Sequence, residues 1–343
     1  MLAIFAILSI IRLNSETNLH LQSRILSLNA EDDFWPLANE LFEYQSKTCI
    51  PFKQFLCNIG WRTRSVNASN VALLPVEAFK YDKVVSFTGE PEAQFMSSGT
   101  TGITRSTRYI QSIVWYNKVS KLIFESGFYP LEETVVLALL PSYIEAGDSS
   151  LVHMVQHFIN QSNSPQSGFV PYNASSLRDR LDKAEKSGRK IILFGVSYAL
   201  LDLVRAEKFD HSVVIIETGG MKGRGRELTR FELHERLQVG FPNGRISSEY
   251  GMTELISQAY LHSDGFFRPP PWMRVLVTDV SDPLSVLPPN RRGLLGIIDL
   301  AGYDACSFIQ TRDIGLVKED GAFTVEGRLD HSDLRGCNLL YTG

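Results

Sequence analysis

From residue 134 onward the chain alternates short β-rich runs with helical ones, and few architectures accept that order. The runs are Thr134–Leu140, a helix near Ser150–Asn160, Lys190–Val196, a helix from Tyr198, Ser212–Glu217 and a helix near Glu227–Leu237. Such alternation predicts an α/β sheet with helices on its faces. Farther on the chain is richer in strands: Met273–Val280, Gly293–Leu300 and a hairpin, Gly315–Val325, turning at Glu319-Asp320-Gly321. Residues 31–130 read instead as mainly helical with loops. Asp32-Asp33 would cap a helix whose apolar stripe is Phe34, Leu37, Leu41 and Phe42. Ile113–Phe128 repeats the pattern with Trp115, Val119, Leu122 and Ile123.

At 343 residues and 44% hydrophobic, the chain has ample material for a sizeable core. Its net charge of -4, with no long basic run, argues against nucleic-acid binding. Cys49, Cys57, Cys306 and Cys337 lack CxxC spacing, which argues against a zinc site and a disulfide scaffold. A reducing, cytoplasmic setting is the simpler reading. Residues 1–30 read as an N-terminal apolar extension. Its run Met1–Ile11 is too short to span a bilayer and has no basic residue before it, as a secretory signal would.

Ser97-Ser98-Gly99-Thr100-Thr101-Gly102 packs two glycines and four hydroxyl residues into six positions. Glycines let backbone approach an anion closely, and hydroxyls with free N–H groups donate to phosphate oxygens. Arg105 and Arg108 follow and could neutralise phosphate charge; no Gly-Lys-Ser/Thr of a P-loop is present. A polar turn is the competing reading. Ser247-Ser248-Glu249-Tyr250-Gly251-Met252-Thr253-Glu254 is a second polar cluster, whose two carboxylates and aromatic ring suit magnesium and a nucleotide base. Third comes Thr311-Arg312-Asp313-Ile314-Gly315, where an Asp after a strand can accept from a ribose diol, and fourth Gly327-Arg328-Leu329-Asp330. His153 and His157 share a helical face without an HExxH pattern, so packing is the expected role.

These four motifs, in this order with an α/β body between them, resemble the adenylate-forming superfamily of acyl-CoA synthetases, luciferase-type enzymes and peptide-synthetase adenylation domains. The resemblance implies an α/β fold of layered sheets plus a small distorted β-barrel over residues 31–330. It implies ATP and Mg2+ as cofactors. Ser97, Ser98, Gly99, Thr100, Thr101 and Gly102 would wrap the β- and γ-phosphates. Glu254 would hold magnesium, and Tyr250, with Glu249, Gly251 and Thr253, would lie around the nucleotide. Asp313 would bind the ribose hydroxyls with help from Arg328, and Gly219-Gly220 sits where the superfamily's adenine-contacting glycines lie. Such enzymes carry a C-terminal lobe with a catalytic lysine, whereas this sequence runs 13 residues past Asp330 and has no lysine after Lys318. Arg105, Arg108, Lys222 or Arg328 would then supply the missing charge.

A narrower resemblance, over about residues 30–340, is to the LuxE-type acyl-protein synthetases, the long-chain-fatty-acid–protein ligases. It rests on Leu73-Leu74-Pro75-Val76-Glu77-Ala78-Phe79-Lys80, on Leu140-Pro141-Ser142-Tyr143 with Ser149-Ser150-Leu151-Val152, and on Asp333-Leu334-Arg335-Gly336-Cys337-Asn338-Leu339-Leu340. That family bears an acyl-accepting cysteine in a short tail, which Cys337 in residues 331–343 matches. Arg335 would favour its thiolate, the nucleophilic form. The other three cysteines are expected to be packing residues. The resemblance implies a fatty acid activated as acyl-AMP, transferred to Cys337 as a thioester and passed to a partner such as an acyl reductase. Alternatives are a ligase loading coenzyme A or an amine, and a non-catalytic subunit binding nucleotide or acyl groups. Leu137–Leu140, Leu151–Met154 and Ile191–Val196 would line an acyl channel or form plain core.

Overall fold

The computed structural model describes residues 18–29, 31–63, 65–97, 104–140, 148–219 and 228–329. The predicted alternation is realised as a seven-stranded sheet. Its parallel part comprises β4 (Thr134–Leu139), β5 (Gly168–Phe169), β6 (Lys190–Val196), β7 (Val214–Thr218) and β8 (Arg245–Tyr250). β9 (Ala259–Leu261) and β10 (Phe267–Arg268) continue it antiparallel, in the order β10-β9-β8-β7-β6-β4-β5. Helices connect the parallel strands: α4 (Ser150–Ser162), α5 (Ala174–Glu185), α6 (Ser197–Ala206) and α7 (Arg230–Gly240). β4 is buried at every position, as expected where helices cover both faces. Leu137–Leu140 and Ile191–Val196 are therefore core, while Leu151 and Val152 on α4 are half-buried.

Local caps explain where the helices begin. Ser149 accepts from Val152 N, Asn173 from Ser176 N, and Thr229 forms a capping box with Glu232. The Asn173 cap opens α5, a helix the sequence reading did not anticipate; only Leu177, Leu181 and Ala184 mark its buried face.

Ahead of the sheet lie α1 (Glu31–Thr48), α2 (Ile50–Asn58) and α3 (Ile113–Gly127). α1 starts at Glu31, so Asp32-Asp33 fall in its first turn and do not cap it. Phe34, Leu37, Leu41 and Phe42 are buried as predicted. On α3, Trp115, Val119 and Ile123 are buried but Leu122 points out. The stretch between α2 and α3 is not helical throughout: β2 (Ala93–Met96) and β3 (Thr107–Ile110) form an antiparallel hairpin.

β11 (Met273–Thr278), β12 (Val286–Leu287), β13 (Arg292–Asp299), β14 (Phe308–Leu316) and β15 (Gly327–Arg328) form a second sheet with β1 (Leu74–Pro75). Its strand path is open among the described residues, so the expected barrel is a half-barrel. The predicted hairpin turn falls at Gly321, whose φ is +80°, and Val317 pairs with Phe323 across it.

Candidate active site

The glycine-hydroxyl motif falls in the chain between β2 and β3. Ser98, Gly99, Thr100, Thr101 and Gly102 fall outside the described residues; the neck below them is well defined. Ser97 N donates to Ser106 O at 2.9 Å, and Ser106 N donates to Ser97 Oγ at 2.9 Å. Arg105 clamps this neck, donating to Ser97 O and, through both Nη atoms, to Asp148 at 3.1 and 2.7 Å. Arg108 is fully buried in an ion pair with Asp304, which also accepts from Gln111 N at 3.0 Å. Neither arginine is a free phosphate-neutralising charge. Arg105 is half-buried and clamps the neck, while Arg108 is fully buried, where a guanidinium is tolerable only when paired.

The second motif is not a loop after a strand. Ser247, Ser248, Glu249 and Tyr250 form the end of β8 itself. Gly251, Met252, Thr253 and Glu254 then turn away, with Leu255 N donating to Met252 O. This segment is pinned by Asp299 at the end of β13, which accepts from Ile256 N, Ser257 N and Ser257 Oγ at 2.8–3.0 Å. Glu254 is buried with the Ser106 hydroxyl against it, so the hairpin neck and the second motif meet there. Burial pushes its carboxyl above the ordinary value, opposed by Ser106 and the Arg328 charge.

Asp313 lies within β14, at a bulge. Between the pairs Leu294↔Ile314 and Gly296↔Gln310, the single residue Leu295 faces Thr311, Arg312 and Asp313. Thr311 Oγ1 donates to Leu295 O at 2.6 Å and accepts from Asp313 N at 3.1 Å, which fixes the bulge. A bulge re-aims the side chain it carries. Here the Asp313 carboxylate reaches the other sheet, accepting from Tyr250 Oη at 2.8 Å. Arg328, paired with this stretch through β15, holds its Nε 3.8 Å from Asp313 Oδ1 with 59% of its side chain exposed. Burial pushes Asp313 up, and Arg328 and Tyr250 pull it back. The Tyr250 ring packs on Phe267 and Phe323, so its one polar end faces Asp313.

Glu217, Thr218, Ser197, His234 and Arg230 are site residues that the motifs did not announce. Glu217 and Ser248 are paired in register on one sheet face; Thr218 and Glu249, one position on, point to the other and meet through their side chains. Glu217 accepts from Ser197 Oγ at 2.7 Å and from Ser248 Oγ, and His234 Nε2 lies 2.9 Å from Ser248 Oγ. On the opposite face Thr218 Oγ1 donates to Glu249 Oε2. The end of β7 thus grips the second motif from both sides, directly before Gly219, whose φ of +75° suits glycine. Gly220 and Lys222 lie outside the described residues. A Cβ at Gly251 would sit 2.1 Å from Glu249 Oε1, so a side chain there would push the Glu249 carboxylate aside.

His153 is half-buried with Nε2 2.9 Å from Asn117 Oδ1, and burial lowers the pKa of both His153 and His157. No group of three metal-ligating side chains occurs among the described residues. Cys49 and Cys306 are buried as expected, but Cys57 is exposed. Cys337, Asp330 and residues 1–17 fall outside the described residues. No helix among the described residues is long and apolar enough to cross a membrane.

No protein-family model matches the sequence, and no curated protein matches it. Solved structures match its fold. A 2-hydroxyisobutyryl-CoA ligase in the postadenylation state, in complex with 2-HIB-AMP, superposes with a TM-score of 0.64 at 13% identity, covering 88% of this chain and 68% of that one. ATP-bound MatB from Rhodopseudomonas palustris gives a TM-score of 0.50 at 18% identity over 69% of this chain and 48% of its own. The O-succinylbenzoate coenzyme A synthetase of Bacillus subtilis, in complex with AMP, gives 0.50 at 17% identity over 70% and 49%. The chain spans about half the length of the last two proteins. The fold is that of the N-terminal domain of adenylate-forming enzymes. The structural neighbours are members of that superfamily, CoA ligases among them.

Proposed function

We propose that this protein activates a carboxylic acid as its acyl adenylate, using ATP. The carrying observation is the Tyr250–Asp313 hydrogen bond, which joins the second and third motifs across two sheets. Glu254 and Arg328 flank it, and the neck of the first motif abuts Glu254. A carboxylate is a poor electrophile because it is anionic and its oxygen leaves badly. Attack of its oxygen on the α-phosphate of ATP would form the acyl–phosphate anhydride of acyl-AMP and break the bond to the β-phosphate, releasing pyrophosphate; such chemistry relies on positioning and charge neutralisation. The neighbouring folds in complex with ATP, AMP and an acyl adenylate support the reading.

A divalent cation fits the residues present. Glu254 is a buried carboxylate with the Ser106 hydroxyl and its own backbone N–H against it and no short ion pair, the kind of oxygen donor that hard cations take. Magnesium held by Glu254 would neutralise phosphate charge. Asp313 would accept from the ribose diol. Arg328 has a largely exposed guanidinium and is not locked in a short ion pair, unlike Arg105 and Arg108; it is the described cation suited to the triphosphate side. Gly219-Gly220 would contact adenine, and Ser97–Gly102 would wrap the β- and γ-phosphates.

The acyl group would then pass to the Cys337 thiolate, expelling AMP, and from the thioester to a partner such as an acyl reductase. The support is the resemblance of residues 333–340 to the acyl-protein ligases. Carboxylate-dependent exchange of label between pyrophosphate and ATP tests the first step; its absence with every acid, alongside measurable ATP binding, favours a non-catalytic subunit. Intact-mass measurement with Mg·ATP and acid tests the second. An acyl adduct absent from Cys337→Ser is expected, and an adduct unchanged in that variant overturns the assignment in favour of another acceptor.

A further inference from the structure

β8 and β9 set Glu249 and Tyr260 directly opposite each other. Their side chains therefore share one sheet face, with Cβ atoms about 5 Å apart. That face is aromatic: the Tyr260 ring lies 5.0 Å from Phe128 and 6.2 Å from Phe124, and Phe124 packs on Phe158 and Phe194. Two polar atoms beside this face are buried and unmatched. The hydroxyl of Tyr260, a residue 3% exposed, has no hydrogen-bond partner. Gln258, 5% exposed, donates through Nε2 to Ile256 O and leaves Oε1 unpaired. Glu249 accepts at Oε2 from Thr218, while Oε1 lies over Gly251. Charges on Glu249 and Tyr116, added to burial, oppose ionisation of Tyr260, so it stays a neutral donor.

Buried polar atoms are ordinarily paired, and one that is not destabilises the fold. Here Tyr260 pairs in register with Glu249, and Glu249 and Gln258 both lie beside Gly251, so the unmatched donor and acceptor sit with the Glu249 carboxylate at the end of the motif strand. We propose that the acid this site takes carries a hydroxyl on its acyl part, accepting from Tyr260 and donating to Glu249 or Gln258. The proposal rests on the acid-activation reading for what enters the site. A plain methylene chain would leave the Tyr260 hydroxyl and Gln258 Oε1 without partners, and sites built to bond a hydroxyl reject analogues lacking it. An ammonium would satisfy the acceptors but could not accept from Tyr260.

The test is calorimetric binding of butyric, decanoic and hexadecanoic acids and their alpha-, beta- and terminal-hydroxy and alpha-amino counterparts. At least one hydroxy acid should bind the wild-type protein about tenfold or more tightly than its parent. Tyr260→Phe should reduce that ratio to about twofold or less, with the parent acid bound as before or more tightly. This variant deletes an unmatched hydroxyl, so its fold should persist; Glu249→Gln gives a second reading of the same ratio. Parent acids binding as well as every hydroxy acid, amino acids binding best, a preference surviving in both variants, or no acid binding would each overturn the proposal. Pyrophosphate exchange run in parallel separates the two claims. A hydroxyl preference in binding without exchange sinks acid activation alone; exchange with plain acids only sinks hydroxyl recognition alone.

Discussion

Glu217, buried, and Glu249, half-buried, are carboxylates on adjacent strands, and they have opposite electrostatic fates. Glu217 faces α7 and is surrounded by donors: Ser197, Ser248, His234 with Nε2 at 3.7 Å and Arg230 with Nε at 4.0 Å. Burial pushes its pKa up, but these groups outweigh that and hold it below the ordinary value. Glu249 faces α3 and α4 with one donor, Thr218. Burial pushes it up to about 7, and the nearby Glu217 charge adds to the shift. The difference teaches that burial alone does not decide a carboxylate's charge; the number of donors facing it does.

The largest break in this comparison is Glu217→Ala. It strands Ser197, Ser248 and Arg230 beside an empty acceptor, and a loss of about 3–5 kcal/mol in unfolding free energy is expected from denaturant midpoints. Ser248→Ala removes one charged hydrogen bond and should cost about 2 kcal/mol by the same measurement. Thr218→Val takes the only donor from Glu249; a loss of about 1 kcal/mol is expected, with the Glu249 titration moved higher.

Glu249→Gln gives the smallest change in stability at low pH and the clearest change in pH dependence. A carboxyl raised to about 7 in the fold, against about 4.5 when unfolded, binds its proton more tightly in the folded state. Its contribution is therefore fully present below pH of about 4.5 and lost as pH rises towards about 7. Denaturant midpoints across that window should fall in the wild-type protein and flatten in the variant; matching slopes would show that Glu249 is not the group responsible. Glu217, held low, has the opposite sign. It stabilises above the ordinary carboxylate range, and that stability is lost as pH falls through its folded pKa.

Much of the fold was legible because period and punctuation are local. Lys190–Val196 was read to the residue, and the helices after β4, β6 and β7 were found within a few positions. α5 was missed because its stripe is short and its cap is a single Asn. The β2–β3 hairpin was hidden inside a stretch read as helix and loop, since its pairing is set by Arg105 and Asp148, forty-three positions apart in the chain. Arg108 looked like a phosphate ligand beside a glycine loop; only Asp304, far along the sequence, shows that it is core. Of the two carboxylates in the second motif, nothing in Glu249 or Glu254 by itself told which donors would face it.

By itself the sequence determined the α/β class, the alternation of β4, β6 and β7 with the helices that follow them, and the four polar motifs. Each of these depends on neighbours within a turn or a strand. Tertiary structure alone decided that Tyr250 meets Asp313, that a bulge in β14 aims the carboxylate there, and that Glu217 and Glu249 diverge in charge. Those outcomes depend on register between strands distant in the chain, and a shift of one residue would turn every side chain to the other face.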